Sequence, residues 1–227
     1  MIKAVIEASG MSDANIGINS MMYMQDAYSR MIGAKFAWKD TRFRGVGSNN
    51  IIKGVKKDDN PAALVSVKEV DFEHLCVFDA SVFGTPRPSF LKSWISQPGM
   101  VALAAVTTWS TTPAGEDDKH SQETRIAGYG CIRLSVESYK DVNFSRKIGP
   151  IFAESAAVGS QLFAALVATV PPGVPYYIDI PETNESAMEL VRESGLESVF
   201  QTARMFTKGD GGVQCNMVYG VTSLEVG

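Results

Sequence analysis

The chain has 227 residues, 45% apolar and 20% charged, with a formal net charge of −4, a composition that suits a globular protein able to bury a sizeable core. The acidic balance excludes a broad basic surface for nucleic acid, and no apolar run reaches the length of a membrane span. Cys76, Cys131 and Cys215 are far apart and odd in number, so they read as reduced core thiols in an intracellular, cytoplasmic protein.

With only His74 and His120, the spacing of a zinc site is missing and no metal is expected. Residues 2–8 suit a short strand carrying Glu7, so no signal peptide is expected. Residues 19–31 read as a helix with Met21, Met24, Tyr28 and Met31 on one core-packing stripe, and Gly33 stops it. Residues 36–46 read as a strand or hairpin containing Thr41-Arg42-Phe43-Arg44. Residues 47–61, rich in Gly, Ser, Asn, Lys and Asp, are the linker candidate.

Residues 65–70 are a plausible strand, and residues 71–97 are two helices parted at Gly84-Thr85-Pro86-Arg87-Pro88. Glu69, Asp71, Glu73 and Asp79 gather near the first of them, as a solvated face or an amine-receiving cluster. Strands are expected at 101–108, 125–134 and 148–153, with polar loops at 111–123 and 141–147 between them. Residues 156–169 form an apolar helix ended by Pro171-Pro172-Gly173. Residues 176–181 are a strand. Asn184 then caps a helix that Gly195 closes, residues 200–206 return as a strand, and a last strand is expected at 217–226. One echo runs through the chain: Gly33 is followed by Thr41-Arg42-Phe43, and Gly195 by Thr202-Ala203-Arg204-Met205-Phe206.

From residue 62 the order is strand, two helices, three strands, helix, strand, helix, two strands. The run Asn184-x-x-Ala187-x-x-Leu190-x-x-x-x-Gly195-Leu196 resembles the Asn-x-x-Ala-x-x-Leu-Tyr-x-x-x-Gly-Phe signature of GNAT acetyltransferases. Gly128-Tyr129-Gly130-Cys131-Ile132-Arg133, Lys147-Ile148-Gly149-Pro150-Ile151-Phe152-Ala153 and Thr202-Ala203-Arg204-Met205 resemble the C-terminal domain of two-domain GNAT proteins of the YitH/HsdE-like type. The resemblance implies an α+β fold, a mostly antiparallel central sheet flanked by helices. It also implies a division into 1–46 (the tail of a first GNAT domain), the linker 47–61, and a GNAT domain at 62–227. A homodimer, or docking of the first segment on the second, would cover the exposed strand edge of such a tail.

The activity implied is transfer of an acyl group from acetyl-CoA or another acyl-CoA to a small amine or amino-acid-like acceptor. The alternative is a non-catalytic sensing or dimerisation module. In this family a splayed strand meets the pantetheine arm and the following helix N-terminus cradles the pyrophosphate. Carried over, that assigns Ile148, Gly149, Ile151, Ala153, Ala156, Ala157, Val158, Gly159, Ser160 and Asn184 to acyl-CoA, with a backbone N–H near Ile151 polarising the thioester. Two positions depart from the pattern. Glu154 replaces a Gln or Arg in the phosphate loop, and Val191 stands where a proton-donating Tyr is usual. Tyr177, Asp179 and Ser194 are the catalytic candidates in its place. Asp179 is expected to act as a base or hold a loop, or else to pair with Arg204 or a backbone amide.

Overall fold

The computed structural model describes residues 2–8, 10, 13–48, 54, 56, 61–110, 122–135 and 145–226. Most of the expected linker and most of both polar loops lie outside these residues. The elements in chain order are α1 (Ile2–Ala8), β1 (Gly17–Met21), α2 (Gln25–Ile32), β2 (Lys35–Val46), β3 (Ala63–Ser66), α3 (Phe72–Phe83), α4 (Pro88–Ile95) and β4 (Val101–Ser110). They continue as β5 (Gln122–Ser135), β6 (Ser145–Ala153), α5 (Ala156–Val167), β7 (Pro175–Pro181), α6 (Glu185–Glu193), β8 (Glu197–Phe206) and β9 (Val218–Gly220).

Helix signals that act over a few residues are realised. Asn184 Oδ1 accepts from the Ala187 N–H at 3.1 Å, and Gly195 closes α6 at φ 72°. Asp71 Oδ1 caps α3 by accepting from the N–H groups of Glu73 and His74 at 2.8 and 3.1 Å. The strand expected at 65–70 ends at Ser66, where a 3-10 turn over Val67–Glu69 begins, and three larger expectations fail. Residues 2–8 are helical, not a strand: their run of Ala, Lys and Glu among the apolar positions has no strict alternation and suits a helix. The helix expected from residue 19 begins only at Gln25, because β1 is drawn into the sheet by pairing with β8. Accordingly Met21 and Met31 stay 41% and 40% exposed and do not form a core stripe. The last strand shortens to Val218–Gly220. Beyond it, Leu224 gives its carbonyl to the Asn19 amide and Thr222 its hydroxyl to Arg87, so these groups are used away from any ladder.

Among the described residues the strands make one nine-stranded, mostly antiparallel sheet in the order β1-β8-β2-β7-β6-β5-β4-β3, with β9 on β6. This is the expected mixed α/β architecture. Helices α5 and α6 cover one face through Leu162, Phe163, Leu166, Leu190 and Val191. The opposite face packs against α3 and α4 through Leu75, Val82, Leu91, Tyr129 and Phe152. A small third cluster, Ala34, Ala203 and Met205, lies with Tyr28 of α2.

The N-terminal segment is woven into this sheet. β2 lies between β7 and β8, with Asp40 facing both Pro181 and Thr202 across the ladders. The unit β1-α2-β2 matches the unit β7-α6-β8, and each lends its return strand to the other: β1 pairs β8, β2 pairs β7, and β2 and β8 meet in the middle. The echo in the sequence has this physical form. Gly33 and Gly195 both end their helices with positive φ, 70° and 72°, a conformation open to glycine at no steric cost.

Candidate active site

The site is set by a parting of two strands. β6 and β7 run parallel, joined by the crossover helix α5, and pair only over Arg146–Ile148 and Tyr176–Ile178. Past that point β6 turns away from β7 and leaves a wedge. The C-terminal segment enters it: Ile151 pairs Gly220, Phe152 pairs Val218, and the Val221 N–H donates to the Asp179 carbonyl on β7 at 2.9 Å. Asn184 Nδ2 donates to the carbonyls of Asn216 and Val218 at 3.1 and 3.0 Å, so one side chain caps α6 and anchors the inserted segment. The approach is close. Gly149 has φ 151°, and a Cβ there would stand 2.2 Å from the Val221 carbonyl oxygen. A Cβ on Gly159 would stand 2.6 Å from the Tyr219 ring.

Helix α5 opens directly after β6. Ser155 Oγ accepts from the Val158 N–H at 3.3 Å, and Ser160 Oγ accepts from the Lys56 N–H at 2.9 Å. Glu154 is ion-paired with Arg125 of β5, so its charge is offset at the rim of the helix start.

The sheet face toward α3 and α4 carries a row of charges. Asp179 is fully buried and bound to Arg42 at 2.8 Å and to Lys147. Burial alone would raise its carboxyl, but the Lys147 and Arg42 cations outweigh that and hold it below the ordinary carboxylate value. Asp40, two residues along β2, is also buried, but its contact is a neutral donor, Trp38 Nε1 at 3.0 Å. Burial pushes its carboxyl up to about 7 against the pull of Arg204. Asp40, Trp38, Arg204, Phe152, Cys215 and Val218 line a narrow cavity between this face and the inserted segment. Burial raises the thiols of all three cysteines, Cys215 to about 11. They stay protonated at neutral pH, which suits packing rather than nucleophilic attack.

The sequence pattern of the acetyltransferase (GNAT) domain matches residues 75–218. The chain belongs to the GNAT acetyltransferase family. It is 22% identical to holothin acyltransferase of Pseudoalteromonas sp. (strain SANK 73390) over 94% of its length and 62% of that protein. It is 27% identical to YitH of Bacillus subtilis (strain 168), an uncharacterized N-acetyltransferase, over 73% of this chain and 50% of that one. The chain thus spans between half and two thirds of the curated relatives it matches. A crystal structure of a Pyrococcus horikoshii protein assigned as an acetyltransferase superposes with TM-score 0.65 at 18% identity, covering 94% of this chain and 60% of that one. A GCN5-related N-acetyltransferase from Sphaerobacter thermophilus gives 0.51 at 11% identity, over 85% and 59%. At these identities the structures speak to the fold alone.

The GNAT positions named from sequence cluster around the wedge. Ile148, Gly149, Ile151 and Ala153 form its β6 wall, Ala156, Ala157, Val158, Gly159 and Ser160 the start of α5, and Asn184 the start of α6. The catalytic candidates scatter. Tyr177 is half-buried and faces Lys147 across the ladder. Asp179 is locked in its ion triad. Ser194 is the C-cap of α6, about 15 Å along the helix from Asn184 at 1.5 Å per residue. Val191 is fully buried in the core.

Two sequence pairings are corrected. Asp179 binds Arg42 and Lys147, not Arg204, because the register sets Arg42 opposite Asp179 and Trp38 opposite Arg204. The acidic residues near α3 are neither one face nor one cluster. Glu69 closes a capping box with Ser66 and Asp71 caps α3. Asp79 is buried, bound to Arg87 at 2.8 Å and to the Tyr129 hydroxyl. Sequence reasoning missed Asp40 and the inserted segment. The only local trace of Asp40 was its place in a strand run beside Thr41-Arg42, and nothing local predicts where a last strand will pair.

Proposed function

We propose that this chain carries the acyl-transfer fold of an N-acyltransferase, which takes an acyl group from acetyl-CoA or another acyl-CoA and passes it to an amine or amino-acid-like acceptor. The parting of β6 from β7 after Ile148 and Ile178, followed at once by the capped start of α5, carries the reading in a chain of the GNAT family. The relatives named for acyl and N-acetyl transfer support the reaction class. Acyl-CoA supplies an activated thioester when bound. The β6 backbone, the first turn of α5 and Asn184 would hold it, and the pairing of Glu154 with Arg125 lessens the repulsion a free carboxylate would exert on a pyrophosphate.

Asp40 is our candidate base on the acceptor side. It lines the cavity beside Phe152 of the parting strand, and a carboxyl near 7 is matched to accepting a proton at neutral pH. Tyr177 and Ser194 remain weaker candidates, and Asp179, held ionised by two cations, is a poor base.

We further propose that residues 1–46 are the closing part of a first GNAT unit of the YitH/HsdE-like arrangement. The match of β1-α2-β2 to β7-α6-β8 supports this. Docking of this segment within the chain covers the β2 edges, so a second copy, in an intracellular setting, would add only at the β1 or β3 edge of the sheet. The test of function is calorimetry with acetyl-CoA and longer acyl-CoAs, followed by transfer assays on a panel of primary amines. Binding with turnover on at least one acceptor, lowered at least ~100-fold in Asp40→Asn, is the expected result. No acyl-CoA binding at high micromolar concentration, in either the unaltered chain or Tyr219→Ala, overturns it.

A further inference from the structure

We infer that residues 215–223 are a self-inserted strap that competes with acyl-CoA for the wedge between β6 and β7. The inference rests on the acyl-CoA reading above. The β6 positions that would meet a pantetheine arm, Ile151 and Phe152, are paired to Gly220 and Val218. On the far side of the wedge, Val221 takes the Asp179 carbonyl. Asn184 is occupied by the carbonyls of Asn216 and Val218. The Tyr219 ring lies against Gly159 at the start of α5, where the helix would receive phosphate. Backbone, helix start and Asn184 are therefore taken by one segment, and acyl-CoA does not fit beside it.

From Val218 on, the strap's side chains are buried, but its backbone hold is short. Its ladder with β6 has two register pairs, whereas β2 pairs β8 from Lys35 to Arg44. Outside the ladder Tyr219 packs in one core cluster and Val218 and Val221 in the other, Arg87 donates to the Thr222 hydroxyl, and just past the strap Asn19 donates to the Leu224 carbonyl. The turn that leads into it contains Gly209, Gly211 and Gly212 at φ 62°, 77° and 72°. Such a run gives the chain a pivot. Release of the strap would uncover the wedge and, in the same movement, the cavity that Asp40 lines, since Cys215 and Val218 form part of its wall.

The experiment combines hydrogen exchange on the unaltered chain, with and without acetyl-CoA, and calorimetry on Tyr219→Ala. We expect acetyl-CoA to speed exchange at Val218–Val221 and leave Arg146–Ile148 unchanged. We expect Tyr219→Ala to bind acetyl-CoA about tenfold tighter or more, because a larger share of molecules stand open. Thr222→Val, which releases only the Arg87 bond, should shift affinity in the same direction by less. Equal affinity in all forms with the strap amides still protected overturns the strap and leaves the acyl-CoA reading intact. Absence of binding in every form, with native circular dichroism and faster strap exchange in Tyr219→Ala, overturns the acyl-CoA reading and with it the competition.

Discussion

Asp40 and Asp179 show how neighbouring carboxylates acquire opposite properties. Both are buried on one sheet face. Asp179 is in contact with two cations, whereas Asp40 receives a Trp38 N–H and feels Arg204 only at longer range. Asp40, with its folded pKa near 7 against an ordinary 3.8, contributes stability that is full below about pH 4 and is lost as pH rises through 7. Asp40→Asn should therefore unfold at the same denaturant concentration as the parent near pH 4. It should be more stable at pH 8, by about 4 kcal/mol at most, since each tenfold change in proton affinity is worth about 1.4 kcal/mol. Urea titrations at both pH values check this, and parallel pH profiles would refute the burial of an ionisable Asp40. Asp179 works the other way: its stabilising effect is present at neutral pH and is lost as pH falls through its lowered folded pKa. Asp179→Asn removes the buried anion that Arg42 and Lys147, the latter 2% exposed, both contact. It should cost about 3–5 kcal/mol at pH 7, measured by the same titration, and a loss below about 1 kcal/mol would show that Lys147 finds water.

At the scale of elements, α6 was legible because its start and stop are local. Asn184, Ala187 and Gly195 act within one turn of either helix end, so the sequence pattern and the folded helix agree. Asn184 also does what no local rule predicts, holding Asn216 and Val218 from across the wedge. Asn184→Ala should lower stability by about 1–2 kcal/mol through the lost cap and also speed amide exchange at Val218 and Val221. A change confined to α6 would show that the anchor is dispensable. Gly195→Ala, forced into a left-handed conformation, should cost about 1–2 kcal/mol and leave strap exchange unchanged, which separates helix stability from strap attachment. Part of β1 reads as helix in the sequence, and β9 is expected over 217–226. A strand of three to five residues has almost no propensity signal, and each takes its state from the edge it meets.

At the scale of the molecule, β2 is an interior strand although its end stands 129 residues before the start of β7 (175 − 46). A chain beginning at residue 47 would leave β7 and β8 without their common partner and Asp179 without Arg42. Such a truncation should fail to unfold cooperatively and should bind hydrophobic dyes, whereas a sharp thermal transition would show that the later residues form a unit by themselves. What the sequence by itself determined were the features that act over a turn or a few residues: the stop of α3 at Gly84, the cap and stop of α6, the apolar run of α5, the strand pattern of β7, and with them membership of the GNAT family. Tertiary structure alone decided three things: the union of Arg42 with Asp179 across 137 residues, the exchange of return strands, and the occupant of the wedge. The physical reason is that backbone donors and acceptors are alike at every residue. A strand edge accepts whatever segment buries its side chains best, and that choice is made only when the distant parts of the chain meet.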